Sequence, residues 1–244
     1  MKAVIIAAGC GSRLSEKHLG VPKSLLEISG KRIIDDIILK ISQCGIKQII
    51  IVTGFKRHLL ESGLEHYKNT EVKIDFVHNA DWHKANGISI FTAKRKISPD
   101  EEFVLLMSDH IFDKQMLQNI VDTKIKADEA ILALDFKIHQ IPDLDDGMKI
   151  QCTRKNDLVF EIHRFGKKLT EFSAIDTGVF KFNYSFFQIL EKTILSGKDS
   201  LSDSCNSLAK NGKMVGLDIG EDLWLDIDTP EMMEQEAILN KIFL

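Results

Sequence analysis

The sequence predicts an α/β protein built on a mostly parallel, mixed sheet flanked by helices. Three observations predict it. In the first half, short runs rich in Ile and Val alternate with longer segments whose apolar residues recur at helical spacing. In the second half, shorter strand-like pieces are separated by turn dipeptides such as Asp146-Gly147, Lys155-Asn156 and Gly166-Lys167. Finally, 244 residues, 44% hydrophobic and 28% charged, suffice for one substantial core and exclude a disordered or fibrous chain.

Residues 2–8 read as a buried strand followed by a glycine-rich loop. Residues 31–44 read as a helix, because Ile33, Ile34, Ile37, Ile38 and Ile41 share one face and Gly45 follows as a C-cap. A strand over 48–53, a helix over 56–67 and a strand over 72–78 come next. A helix over 88–96 then leads to a strongly apolar strand, 102–107, that ends at Ser108-Asp109-His110. Beyond it, 129–137, 148–153, 158–163 and 174–182 are strand-like, 184–195 and 200–210 helical, and 214–218 and 223–225 short strands. Pro230 opens a last helix at its favoured first turn. Without a repeat or linker, the chain reads as one domain, with a nucleotide-binding half over 1–123 and an acceptor-binding half over 124–244.

A formal charge of −4 and the lack of a dense Lys/Arg run, beyond 94–96 and 167–168, argue against a nucleic-acid partner. Cys10, Cys44, Cys152 and Cys205 form no CxxC pair, so they read as free thiols in a reducing compartment. The apolar run 3–8 is too short for a signal sequence or a membrane span, so the expected location is cytoplasmic.

Three constellations carry chemistry. The first is Ala7-Ala8-Gly9-Cys10-Gly11-Ser12-Arg13-Leu14, directly after the first strand, with Pro22-Lys23 beyond it. Glycines let the backbone approach phosphate oxygens, successive N–H groups form an anion nest, and Arg13 and Lys23 add positive charge. Leu14 stands where a dinucleotide fingerprint needs its third Gly, and no GxxxxGK[ST] spacing occurs. The second is Asp109, flanked by Ser108 and His110 at the carboxyl end of a strand, where open α/β sheets bind ligands. The third is the segment 224–231, in which Asp226 and Asp228 alternate along extended chain and so point to one side. Both acidic sites also suit turns or helix starts, and such roles coexist with metal binding.

Gly9-x-Gly11-x-Arg13-Leu14 followed by Pro22-Lys23 resembles the signature of the sugar-phosphate nucleotidyltransferase family. That resemblance implies a Rossmann-like nucleotidyltransferase fold in which the loop wraps a triphosphate. It implies that Arg13 and Lys23 neutralise charge, that Asp109 holds Mg²⁺, and that Asp226, Asp228 or both complete the metal site. Ala7, Ala8, Gly9, Gly11 and Ser12 would line the nucleotide. So would Asn79, Asn86, Gly87 and Ser89, whose pattern is similar to that of members using CTP on inositol 1-phosphate or phosphocholine. In the wider family the Asp-Thr-Gly stretch closes over the acceptor, which assigns acceptor contacts to Asp176, Thr177 and Gly178. His110 joins them as a pocket residue, and Lys167 or Arg164 would hold the acceptor phosphate.

The resemblance covers most of the chain and leans toward transfer of CMP from CTP to inositol 1-phosphate. Only two Trp and two Tyr are present, which leaves little for caging a quaternary ammonium and favours a polyol over choline. Another sugar phosphate with UTP or dTTP, or a nucleotide sensor without catalysis, remain the alternatives. With no apolar stretch of about 20 residues, a membrane synthase consuming the product is expected to be a separate polypeptide.

Overall fold

The apolar run that begins the chain becomes a central strand of the sheet, in a computed structural model that describes residues 1–11 and 20–243. In chain order, β1 (Lys2–Ala7) is followed by a hairpin of β2 (Glu27–Ile28) and β3 (Lys31–Arg32), then α1 (Ile33–Gln43), β4 (Gln48–Thr53), α2 (Arg57–Gly63), β5 (Lys73–His78) and α3 (Asn86–Thr92). Next come β6 (Glu102–Met107), β7 (His110–Phe112), α4 (Lys114–Asp122), β8 (Ala130–Asp135), β9 (Lys149–Arg154), β10 (Val159–Phe165) and β11 (Ala174–Asn183). The chain ends with α5 (Phe186–Leu195), α6 (Leu201–Ala209), β12 (Met214–Asp218), β13 (Trp224–Asp226), α7 (Pro230–Met233) and α8 (Glu236–Ile242).

Nine strands form one sheet in the order β5-β4-β1-β6-β11-β8-β12-β10-β9. Strands β5, β4, β1 and β6 are mutually parallel, β11 opposes β6 and β8, β12 follows β8, and β10 opposes both β12 and β9. Seven of the nine therefore run one way and only β10 and β11 reverse, the mostly parallel mixed sheet expected from the sequence. Helices cover both faces, which is why β1, β4 and β6 are unbroken apolar runs rather than alternating ones.

Where element boundaries differ from expectation, local pairing is the reason. Lys31 and Arg32 do not open α1; they pair with Ile28 and Glu27 across a two-residue turn in which Ser29 and Gly30 both have positive φ. The expected helices over 56–67 and 88–96 each split into an α-helix and a 3₁₀ turn, the latter at Glu65–Asn69 and Ala93–Lys96. Helix α4 was not expected: it is mostly polar, and only Met116, Leu117 and Ile120 are buried.

Under one face, α1 carries a buried ion pair. Lys40 Nζ lies 2.5 Å from Asp36 Oδ2, with the two side chains 7% and 3% exposed. The ammonium also sits 5.7 Å from the Phe112 ring centre in β7 and 5.6 Å from that of Phe243. Burial raises the Asp36 pKa and lowers that of Lys40 despite their mutual attraction. The pair thus supports β7, one strand of the site described below. Asp36→Asn, which strands the ammonium, should destabilise the protein by about 3–5 kcal/mol in urea unfolding. The double replacement Asp36→Leu with Lys40→Met should recover most of that loss.

Candidate active site

Strands β4 and β5 extend the sheet on one side of β1, and the chain then crosses to add β6 on the other. The carboxyl ends of β1 and β6 therefore flank a topological switch point, where open α/β sheets leave a ligand crevice. Ala7 ends β1, Ala8 is buried, and its carbonyl accepts the Phe55 N–H at 2.9 Å. Gly9 faces open space, and Gly11 packs against the Lys23 side chain. Ser12 and Arg13 lie outside the described residues. Lys23 enters from a 3₁₀ turn after Pro22 and is 8% exposed.

The second constellation meets the third through a two-stranded ribbon. Strand β7 pairs antiparallel with β13, with His110 opposite Asp226. The ribbon continues as the Ile227 N–H donates to the Asp109 carbonyl at 2.9 Å, and the Asp113 N–H donates to the Leu223 carbonyl at 2.8 Å. Asp109, Asp226 and Asp228 are thereby gathered around one cation. Lys23 Nζ is 3.1 Å from Asp109 Oδ2 and 3.6 Å from Asp226 Oδ1, and it donates a short hydrogen bond to Asp228 Oδ1.

Crowding sets the charge states. Burial opposes the Lys23 charge, yet the three carboxylates outweigh it and raise its pKa. Burial likewise opposes the charge of Asp226, but His110 and Lys23 hold its carboxyl well below the usual carboxylate range. Asp228 is pushed up by burial and by the Asp226 charge, against the pull of Lys23. His110 is pushed up to about 10: burial works against protonation, and Asp226 and Asp109 overcome it.

Asp109, His110 and Asp226 each bring one ligand atom within 4.8 Å of the others, so the group could hold a divalent cation. Asp226 Oδ1 fits that role, since it is buried with no hydrogen-bond partner among the described residues. The oxygens suit a hard cation better than the imidazole does. Asp228, expected in the metal set, lies beside that group and, like Asp109, accepts a hydrogen bond from Lys23.

His110 is fixed from its other side, where Nδ1–H donates to the Thr177 carbonyl at 2.7 Å. Gly178 makes this possible: its φ is +78°, and a β-carbon there would overlap the imidazole. Beyond His110 opens a cavity of about 390 Å³. Four of the five expected acceptor residues, His110, Lys167, Asp176 and Gly178, line it. Thr177 does not, being fully buried with its hydroxyl donated to the Ala133 carbonyl at 2.9 Å. Lys167 pairs with Asp146 at 2.5 Å. Asp176 accepts the Gly178 N–H at 2.7 Å, and burial pushes its pKa up to about 6.

Asp135 and Lys137, which line the cavity, escaped assignment from the sequence. Asp135, at the end of β8, accepts the Trp224 indole N–H at 2.8 Å and pairs with Lys137 at 2.9 Å. Lys137 also donates to the carbonyls of Gly220 and Asp222, closing the wall behind Trp224. The signal was available: like Asp109, Asp135 is an acidic residue at the carboxyl end of a buried apolar strand.

The expected nucleotide-side residues divide. Asn79 and Ser89 are buried and bond to each other at 2.9 Å, and Asn79 Oδ1 accepts the Asp81 N–H. Asn86 lines the cavity, but its Oδ1 accepts the Leu201 N–H at 2.9 Å, while Gly87 packs tightly against the Asp199 carbonyl.

Residues 2–238 match the family model described as nucleotidyl transferase. The chain belongs to the nucleotidyl transferase family. Its curated relatives include the proteins named Bifunctional IPC transferase and DIPP synthase of Aquifex aeolicus and of Thermococcus kodakarensis, each 29% identical over 234 residues. Those alignments cover 96% of this chain, which spans about half the length of each relative, 50% and 49%. Among solved structures, the inositol-1-phosphate CTP transferase from T. maritima superposes with a TM-score of 0.84 at 21% identity, covering 99% of this chain and 95% of that one. That likeness shows the nucleotidyl transferase fold. No described helix is long and apolar enough to cross a membrane.

The Gly178 contact makes a direct test. Gly178→Ala combines a strained backbone with a clash on His110 and should destabilise the protein by about 1–3 kcal/mol, read by urea unfolding. Wild-type stability in this variant would show that His110 yields without cost.

Proposed function

We propose that the chain transfers CMP from CTP to inositol 1-phosphate, giving CDP-inositol and pyrophosphate. The observation that carries this reading is the ribbon of β7 and β13, which sets Asp109, Asp226 and Asp228 around Lys23 at the mouth of a cavity large enough for a phosphorylated polyol. The choice of CTP and inositol 1-phosphate is supported by what the Aquifex aeolicus and Thermococcus kodakarensis relatives and the T. maritima structure are named for.

In the proposed reaction an oxygen of the acceptor phosphate attacks the α-phosphorus of CTP, the bond from that phosphorus to the bridging oxygen breaks, and pyrophosphate leaves. A phosphomonoester is already ionised at neutral pH, so the site needs no general base. Its task is positioning and charge stabilisation. Lys23, with Arg13 from the glycine loop, offsets the charge that builds on the phosphoryl oxygens. Asp109 and Asp226, with Asp228 beside them, would hold Mg²⁺, which would supply Lewis-acid polarisation of the phosphates. Asp176 and the backbone at Gly178 face the acceptor hydroxyls, and Lys167 faces its phosphate. The free cysteines and the lack of a membrane-length helix among the described residues support work in the cytoplasm.

Purified protein with Mg²⁺ should release pyrophosphate with CTP and inositol 1-phosphate. Other pairs, crossing UTP, dTTP, ATP and GTP with glucose 1-phosphate and phosphocholine, should release little. Release confined to another pair would move the substrate and keep the chemistry. Nucleotide binding without release from any pair would favour a sensor. Asp109→Ala should abolish turnover with an unchanged circular dichroism spectrum, and near-normal activity in that variant would overturn its metal role.

A further inference from the structure

The turn after β4, Gly54-Phe55-Lys56, takes no part in the chemistry above, yet it touches both described ends of the glycine loop. Gly54 packs against the Ala8 carbonyl, and the Phe55 N–H donates to that carbonyl at 2.9 Å. At the other end, the Lys56 ammonium fills the space that a β-carbon on Gly20 would occupy. Gly20 must therefore lack a side chain for Lys56 to lie there.

Lys56 holds this place at a conformational cost. Its φ of 44° and ψ of 39° are left-handed, a region that Gly and Asn enter readily and a lysine seldom does. It also stands at the start of α2, where Ser, Thr, Asp or Asn would be the favoured residue and where Lys donates no cap. Outliers of this kind gather at functional sites, where something other than local stability keeps them. The side chain lies exposed with its ammonium 5.5 Å from the Phe55 ring centre, and it has no carboxylate partner among the described residues.

We propose that Lys56 is a further nucleotide-binding residue, whose ammonium contacts the polyphosphate of the nucleoside triphosphate at the Gly20 end of the loop. This assignment rests on the nucleotidyl-transfer reading. It adds to Lys23, which three carboxylates surround, a second cation that no described carboxylate pairs.

The test is MgCTP binding by calorimetry, followed by steady-state kinetics, on the full chain carrying Lys56→Asn, Lys56→Gly or Lys56→Arg. Asn and Gly suit the left-handed backbone without the charge, so both variants should fold, and K56G should melt no lower than wild type. Both should weaken MgCTP binding about tenfold, the size of one charge-assisted contact. The loss should shrink as salt is raised. The KM for CTP should rise while kcat and the KM for the acceptor stay within twofold, and K56R should bind as wild type does. Wild-type affinity in K56N and K56G, or equal loss in K56R, would overturn the assignment. Binding is read apart from turnover, so a wild type that binds MgCTP without releasing pyrophosphate would sink the catalytic reading and leave the Lys56 comparison valid. A wild type that binds no nucleotide would overturn both.

Discussion

Three carboxylates in one crevice repel one another, and the site exists because a single buried ammonium holds them together. Lys23 reaches Asp109, Asp226 and Asp228, which come from chain segments that meet only when β7 pairs with β13. Such a cluster is a poor source of stability, since removing several charges from water costs more than most of their attractions return. The surrounding apolar sheet carries that cost. Buried Ala3, Val4 and Ile5 of β1 and Leu105 and Leu106 of β6 fix the strands whose carboxyl ends present the glycine loop and Asp109. An arrangement this expensive is intelligible as preparation for a polyanionic ligand and a cation that redistribute the same charges.

The cavity beyond His110 is organised by the same ribbon. Trp224 lies in β13, two residues before Asp226, and its indole is tied to Asp135 while its ring lies tilted against that of His110, 5.5 Å away. His110 in turn bonds to the strand that carries Asp176 and Gly178. A shift of the acceptor wall therefore reaches the carboxylates through two contacts, which makes cavity shape and charge placement parts of one packing problem.

Much of this was readable in the sequence, for physical reasons that can be named. Parallel strands covered on both faces give uninterrupted Ile/Val runs, so β1, β4 and β6 declared themselves, and the residues after them pointed to the crevice. The motifs single out Lys23, Asp109, Asp226 and Asp228, and these are neighbours in space. Long-range pairing was not readable. The three-residue strand β7 has no periodicity of its own and exists only through its pairing with β13, the short strand expected at 223–225. Helix α4 is too polar to stand out, and Lys137 gains its place from carbonyls on a distant turn. Asn79 and Ser89 are ligand candidates through the resemblance to members that use CTP, and in the fold each bonds to the other.

Strand β11 has a mechanical consequence. It runs against the prevailing direction and is hydrogen-bonded to β6 from Val179 to Asn183 and to β8 on its other edge. The strand that ends at the Asp109 crevice and the strand that ends at the cavity beyond His110 are thus stitched into one plate. A jaw-like swing would tear this ladder, so any gripping of substrates falls to loops at the rim of the plate. The segment carrying the 3₁₀ turn Ile138–Gln140 and the Asp143 to Gly147 stretch is one such rim, lying on the lip of the acceptor cavity.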